Sequence, residues 1–154
     1  MKTQRARVLF LCTANACRSQ MAEALLRHHW GREFEALSAG LAPTEVHPLT
    51  LRVLAERGID TAGLAAKGID HFLGRVPIQH AIVVCENAQQ HCPRIYPFCL
   101  RAHYWPFDDP AAAQGTEEEK LAKFREVRDQ IDTRIRQWIR EEGQLLRQKA
   151  GTRC

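Results

Sequence analysis

Val8-Leu9-Phe10-Leu11-Cys12-Thr13-Ala14-Asn15-Ala16-Cys17-Arg18-Ser19-Gln20-Met21-Ala22-Glu23-Ala24-Leu25-Leu26 reads as strand, loop and helix. Val8 to Leu11 is a short, wholly apolar run of strand formers, and Ser19 to Leu26 has the composition of a helix. Between them lies Cys12-x5-Arg18-Ser19. So short a loop turns its backbone N–H groups inward and ends at a helix N-terminus, where unpaired amides and the macrodipole favour an anion. A cysteine at its mouth, facing those amides and a guanidinium, is drawn toward thiolate at neutral pH. Cys12 is therefore the candidate nucleophile. Arg18 is the planar fork that would grip two oxygens of a tetrahedral anion. Thr13, Ala14, Asn15, Ala16, Cys17, Arg18 and Ser19 form the wall of the cradle. The plainer alternative is a buried thiol closing a core strand, but the strand-to-helix junction followed by Ser19 favours chemistry.

At 154 residues and 17.6 kDa the chain suits one domain, residues 1–154, with an ordered core expected over about 6–142 and a mobile C-terminal tail. Apolar residues make up 45% and charged residues 26%, which are globular values. The longest apolar runs are about five residues, far short of a membrane span, and no signal-type segment opens the chain. A soluble, cytoplasmic monomer is expected. The net charge of +4 carries no stripe of basic and aromatic residues, so nucleic acid is not the expected partner and a small anion is. Six cysteines without a secretion signal point to nucleophilic, redox or metal chemistry rather than a disulfide scaffold.

Outward from the cradle, the first helix is expected from Arg18 to Trp30, with Gly31 as a left-handed stop. Phe34 to Ala39 reads as a second strand that would end beside the cradle at Gly40. Pro48 suits a first helical turn, with Leu51, Leu54 and Ala55 facing inward before Gly58. Gly63 to Leu73 suggests a short helix with Ile69, Phe72 and Leu73 inward. Ala81 to Val84 is a strand ending at Cys85, and His103 to Trp105 a last strand. Thr116 and Glu119 form a capping box for a helix with Leu121, Phe124, Val127, Ile131, Ile135 and Trp138 on one face, and Gly143 is its expected end. The alternation implies an α/β fold: a doubly wound, four-stranded parallel sheet with helices on both faces. Ligands of such sheets sit beyond the carboxyl ends of the strands. Cys12, Cys85 and the Asp108-Asp109-Pro110 loop would meet on that rim.

A cradle that holds an oxyanion against a thiolate also needs an acid for the departing oxygen, and Asp109 is the candidate, with Asp108 beside it. Cys85 and Cys92 matter for a different reason. A hydrolase needs neither, whereas in a reductase a second thiol can attack the Cys12 adduct and a third can move the resulting disulfide outward. If residues 86–92 are helical, Cys85 and Cys92 lie roughly 10 Å apart along the axis, so pairing them requires that helix to unravel. Zinc on Cys85, Cys92, Cys99 and His91 is the weaker reading, because the six-residue gaps lack close cysteine pairs. No bound metal is expected.

Cys12-Thr13-Ala14-Asn15-Ala16-Cys17-Arg18-Ser19, Ser38-Ala39-Gly40, Cys85-x6-Cys92-Pro93 and Trp105-Pro106-Phe107-Asp108-Asp109-Pro110-Ala111 together resemble the thioredoxin-coupled arsenate reductases, which share the low-molecular-weight tyrosine phosphatase fold. The resemblance implies a relay. Cys12 attacks arsenate, Cys85 releases arsenite, Cys92 resolves the Cys12–Cys85 disulfide, and thioredoxin reduces the Cys85–Cys92 pair that remains. It also implies that Asn15 and Ser19 hold the loop and stabilise the thiolate, Arg18 binds the anion (arsenate, with phosphate or sulfate as mimic), and Asp109 is the acid. Three departures stand out. The family usually has glycine where Ala14 stands, which matters if that position takes positive φ. Some members bind potassium near the loop, but Ala65 and Lys67 replace a hydroxyl and a carboxylate there, and Lys67 would supply the charge instead. Ala111-Ala112-Ala113 replaces the aromatic residues that phosphatases carry after Asp-Pro. The alternatives are a phosphatase working through phospho-Cys12, or a non-catalytic oxyanion or redox sensor.

Overall fold

The computed structural model describes residues 5–72, 74–86 and 99–151, with side chains from Arg101 in the last strand and as far as Gly143 in the last helix. Strands β1 (Ala6–Cys12), β2 (Phe34–Gly40), β3 (Ile78–Val83) and β4 (Cys99–Tyr104) form a parallel sheet in the order β2-β1-β3-β4. Helices α1 (Arg18–Trp30), α2 (Pro48–Ala55) and α3 (Glu117–Gly151) complete the expected α/β class. Val8, Leu9, Phe10 and Leu11 are all 0% exposed. Successive side chains of a strand point to opposite faces, so β1 is covered on both, which is why its sequence shows no alternation.

The register decides where the site lies. Cys12, the last residue of β1, pairs with Gly40 at the end of β2, and Leu11 pairs with Val83 at the end of β3. The chain leaves β1 toward β2, yet β3 lies on the opposite side. The gap between the carboxyl ends of β1 and β3 is therefore the switch point, where such sheets hold their ligands.

α3 carries the inward stripe read from the sequence. Leu121, Phe124, Val127, Ile131, Ile135 and Trp138 are each at most 2% exposed. The capping box is formed: Thr116 Oγ1 accepts from the Glu119 amide at 3.2 Å, and Glu119 Oε1 from the Thr116 amide at 3.3 Å. Arg128, buried within α3, donates to the Val53 carbonyl at 2.9 Å and ties α3 to α2.

Several local expectations change. Gly31 has φ −64°, so it is not a left-handed stop; a Cβ there would meet the Arg27 carbonyl oxygen at 2.5 Å, and close approach explains the glycine. The inward face of α2 is Thr50, Val53 and Leu54, while Leu51 is half-buried and Ala55 exposed, because the helix is rotated so that the face carrying Val53 is the one covered. Residues 63–72 supply a single 3-10 turn, Ile69–His71, with Phe72 buried beneath it; Leu73 lies outside the described residues. β3 begins three residues earlier than expected and ends at Val83, and β4 runs Cys99–Tyr104 rather than centring on His103 to Trp105. In both cases parallel pairing with a neighbour extends the strand through residues of mixed polarity. α3 continues through Gly143, since one interior glycine costs only about 1 kcal/mol relative to alanine.

Candidate active site

Cys12 to Arg18 wrap the end of β1 into the start of α1. The cradle is held open from behind by residues 41–47. Leu41 N donates to Cys12 O at 3.2 Å, Ala42 N to Thr13 O at 2.8 Å, Thr44 N to Ala14 O at 3.0 Å and His47 N to Ala16 O at 3.0 Å. With those carbonyls engaged outward, the loop amides are left for the interior. α1 starts without a side-chain cap and with no acidic residue in its first turn, so its N-terminal amides keep their capacity for an anion.

One turn of the loop needs an unusual backbone. Asn15 has φ +53° and is the one non-glycine residue with positive φ among the described residues. Asparagine tolerates this conformation, and it brings the Asn15 amide to within 3.2 Å of Cys12 Sγ. The neighbouring Ala14 does not take positive φ, so its methyl group brings no backbone strain.

Around this turn the side chains form one buried network. Asn15 Nδ2 donates to Ser19 Oγ at 2.8 Å and Ser38 Oγ at 3.0 Å, and Ser19 Oγ lies 2.9 Å from Cys12 Sγ. Asn15 Oδ1 accepts from the Lys67 amide at 2.8 Å and from Gln20 Nε2 at 2.9 Å. Ser38 Oγ in turn donates to Glu23 Oε1 at 2.7 Å. Glu23 is 3% exposed and sits against Arg27 at 2.8 Å and Lys67 Nζ at 3.7 Å. Gln20, Glu23 and residues 41–47 were not singled out from the sequence. Glu23 had a signal, a lone charge in the run Met21-Ala22-Glu23-Ala24-Leu25-Leu26; the backbone of residues 41–47 had none.

The residues near Glu23 do not suit a potassium ion. Ala65 offers only its carbonyl, which already accepts from Lys67 Nζ at 2.6 Å and Gln20 Nε2 at 2.9 Å. Lys67 itself brings a cation beside the buried carboxylate. Among the described residues no group of three or more His, Cys, Asp or Glu side chains is arranged to hold a metal.

A cavity of about 350 Å³ opens in front of the loop, lined by Cys12, Thr13, Ala14, Ala16, Cys17, Arg18, Asp109 and Ala111. Asn15 and Ser19 are 0% exposed and stand behind it. Arg18 Nη1 donates to the Phe107 carbonyl at 3.1 Å, Nη2 lies 3.8 Å from Asp109 Oδ2, and Nε is buried with no hydrogen-bond partner among the described residues. Asp109 Oδ1 accepts from the Ala111 amide at 3.0 Å, which orients the carboxyl at the cavity edge. Asp108 points elsewhere, to Lys123 of α3 at 2.9 Å. Cys17 is 5% exposed, and burial pushes its thiol up to about 12, against which a hydrogen bond with Thr50 acts only partly. That makes Cys17 part of the wall, with an inert sulfur. Cys85 is 1% exposed, with Sγ 3.5 Å from Thr13 Oγ1. Cys92, with the rest of the 87–98 segment, and Cys154 lie outside the described residues. The arrangement can bind a tetrahedral oxyanion, present a thiol to its central atom, and offer a carboxyl at the cavity edge.

The family described as low molecular weight phosphotyrosine protein phosphatase matches residues 7–150. The chain belongs to this family. Among curated relatives, the arsenate reductase of Bacillus subtilis (strain 168) is 40% identical over 132 residues, covering 85% of this chain and 93% of that protein. Among solved structures, an arsenate reductase in its phosphate binding state superimposes with a TM-score of 0.75 at 28% identity, covering 88% of this chain and 98% of that one. A thioredoxin-dependent arsenate reductase of Corynebacterium glutamicum gives a TM-score of 0.64 at 30% identity, over 92% of this chain and 63% of that one. One fold thus carries a family named for phosphatases and relatives named for arsenate reduction. What distinguishes this member has to come from residues outside the loop.

Proposed function

We propose that this enzyme reduces arsenate to arsenite through Cys12, Cys85 and Cys92, with thioredoxin as electron donor. Cys12 sulfur attacks arsenic(V), and an arsenate oxygen leaves as water with a proton supplied by Asp109. Cys85 sulfur then attacks Cys12 sulfur. The electron pair of the breaking S–As bond passes to arsenic, which departs as arsenite, and a Cys12–Cys85 disulfide is left. Cys92 attacks Cys85, frees Cys12, and leaves a Cys85–Cys92 disulfide that thioredoxin reduces by thiol exchange.

The observation that carries this reading is the second thiol beside the cradle: Cys85 sulfur lies 3.5 Å from the hydroxyl of Thr13, a residue of the cavity wall. A phosphatase has no use for it. The relatives named arsenate reductase support the substrate, and the Corynebacterium glutamicum enzyme supports the reductant. The residues that follow Asp109 point the same way. Ala111 and Ala112 are exposed in the 3-10 turn after Asp109, so a tyrosyl ring would find little to stack on. A cytoplasmic location fits a donor of this kind, and among the described residues no helix is long and apolar enough to cross a membrane.

The test combines protein, arsenate, thioredoxin, thioredoxin reductase and NADPH, followed beside aryl-phosphate hydrolysis. Arsenate-dependent NADPH oxidation is expected. Cys85→Ser should abolish turnover while leaving anion binding at Cys12 intact. Sustained reduction by that variant would sink the relay, hydrolysis alone would select the phosphatase, and silence in both assays would select a sensor.

A further inference from the structure

The hydrogen bond between Ser19 Oγ and Cys12 Sγ is 2.9 Å long, and its length does not say which atom donates. The direction matters. A hydroxyl donating to sulfur favours negative charge there, whereas a thiol donating to the hydroxyl keeps its proton. The atoms farther along the network resolve the choice.

Gln20 is 0% exposed, with Nε2 3.0 Å from Asn15 O, 2.9 Å from Asn15 Oδ1 and 2.9 Å from Ala65 O. All three neighbours are carbonyl oxygens, so the Gln20 amide can face them only with its NH2 group. The cost is visible at its other end, where Oε1 is buried with no hydrogen-bond partner among the described residues. An unpaired buried carbonyl calls for a reason. Asn15 Oδ1 receives a second donor, the Lys67 backbone amide, which cannot reverse. Asn15 must therefore turn its NH2 toward Ser19 and Ser38, and both hydroxyls must accept. Ser38 spends its own proton on the Glu23 carboxylate, held against Arg27 and Lys67. Ser19 has one proton left and, among the described residues, one neighbour to receive it, Cys12 sulfur.

We infer that Gln20, with the Lys67 amide and Glu23, is a positioning element that fixes the direction of hydrogen bonding around Asn15, so that Ser19 can only donate to Cys12 sulfur. Gln20 touches neither substrate nor sulfur and acts through Asn15 and Ser19. The inference rests on the reading of Cys12 as nucleophile and is independent of the later relay steps.

Iodoacetamide alkylation of Cys12, followed by peptide mapping across pH, tests it without arsenate or thioredoxin. Gln20→Met removes the donor at similar volume. The expected result is a several-fold fall in the alkylation rate at neutral pH, short of the loss of a whole hydrogen bond to a charged group because the Lys67 amide still holds Asn15 Oδ1, with the pH profile displaced upward. Ser19→Ala, which removes the bond itself, should cause the larger fall, about tenfold, and adding Gln20→Met to Ser19→Ala should change nothing more, because both act on one bond. An unchanged profile in Gln20→Met, or effects that simply add in the double variant, would overturn the inference. If Gln20→Met does not fold, Gln20→Asn carries the same test, since its shortened amide cannot reach Asn15. A failed relay with intact coupling leaves this inference standing, and an intact relay without coupling removes it.

Discussion

Cys12 and Cys17, both lining the cavity, differ because of their neighbours. Cys12 receives the Asn15 amide and faces the cavity, whereas Cys17, five residues on, is buried against Thr50 and its thiol is pushed up to about 12. At pH 7, iodoacetamide should therefore label Cys12 at least about 100-fold faster than Cys17, a difference that peptide mapping would read directly. Comparable labelling of Cys17 would show that its surroundings are wetter than described. The raised value also has a stability consequence. Folding keeps the Cys17 thiol neutral, so its contribution is complete below the unfolded value of 9.0 and is lost as pH rises toward about 12. The backbone assignment within the loop was the least legible part of the sequence. Ala14 looked like the residue at risk, yet the positive φ belongs to Asn15, because the turn must aim the Asn15 amide at sulfur. Residue identities cannot distinguish adjacent positions of a turn when either could take the strained one.

Among the elements, the end of β2 constrains the cradle most tightly. A Cβ at Gly40 would lie 2.6 Å from Thr13 O and 2.8 Å from Asn15 N, both backbone atoms of the loop. Gly40→Ala should push the loop forward, and a displacement on the order of 1 Å at a reacting centre costs about 100-fold in rate. Turnover in the coupled assay and phosphate affinity should fall together, while the melting temperature drops by an amount matching about 1–3 kcal/mol of overpacking. Wild-type affinity in that variant would mean the loop has slack that the contacts do not suggest. The strand-loop-helix unit, the cap of α3 and its inward stripe were all legible, since each rests on short-range spacing. β4 was legible only in part. Its first residues pair with β3 through backbone hydrogen bonds, which sequence patterning does not record.

For the whole molecule, acid should be the more damaging extreme near neutrality. His80 and His103 meet across β3 and β4, with Nδ1 and Nε2 3.1 Å apart, and Trp138 of α3 stands edge-on to both. Burial, followed by the neighbouring His80 and Arg101, lowers His103 to about 4, and burial also lowers His80; Glu142 opposes both shifts and Arg134 adds to the first. A histidine with a depressed folded value stays neutral in the fold. Stability from this pair is complete above about 6.5 and is lost as pH falls toward about 4. The melting temperature should decline across that window, and His103→Gln should flatten the decline; an identical slope in the variant would place the acid sensitivity elsewhere. The sequence by itself determined the α/β class, the strand-loop-helix cradle, and the places of its cysteine and arginine, because each depends on residues close together in the chain. Tertiary structure alone decided that Cys85 comes beside Thr13, that residues 41–47 brace the loop, and that Gln20 and Glu23 orient the network behind it. Those relations join positions tens of residues apart, brought together only when parallel strands align their carboxyl ends on one rim.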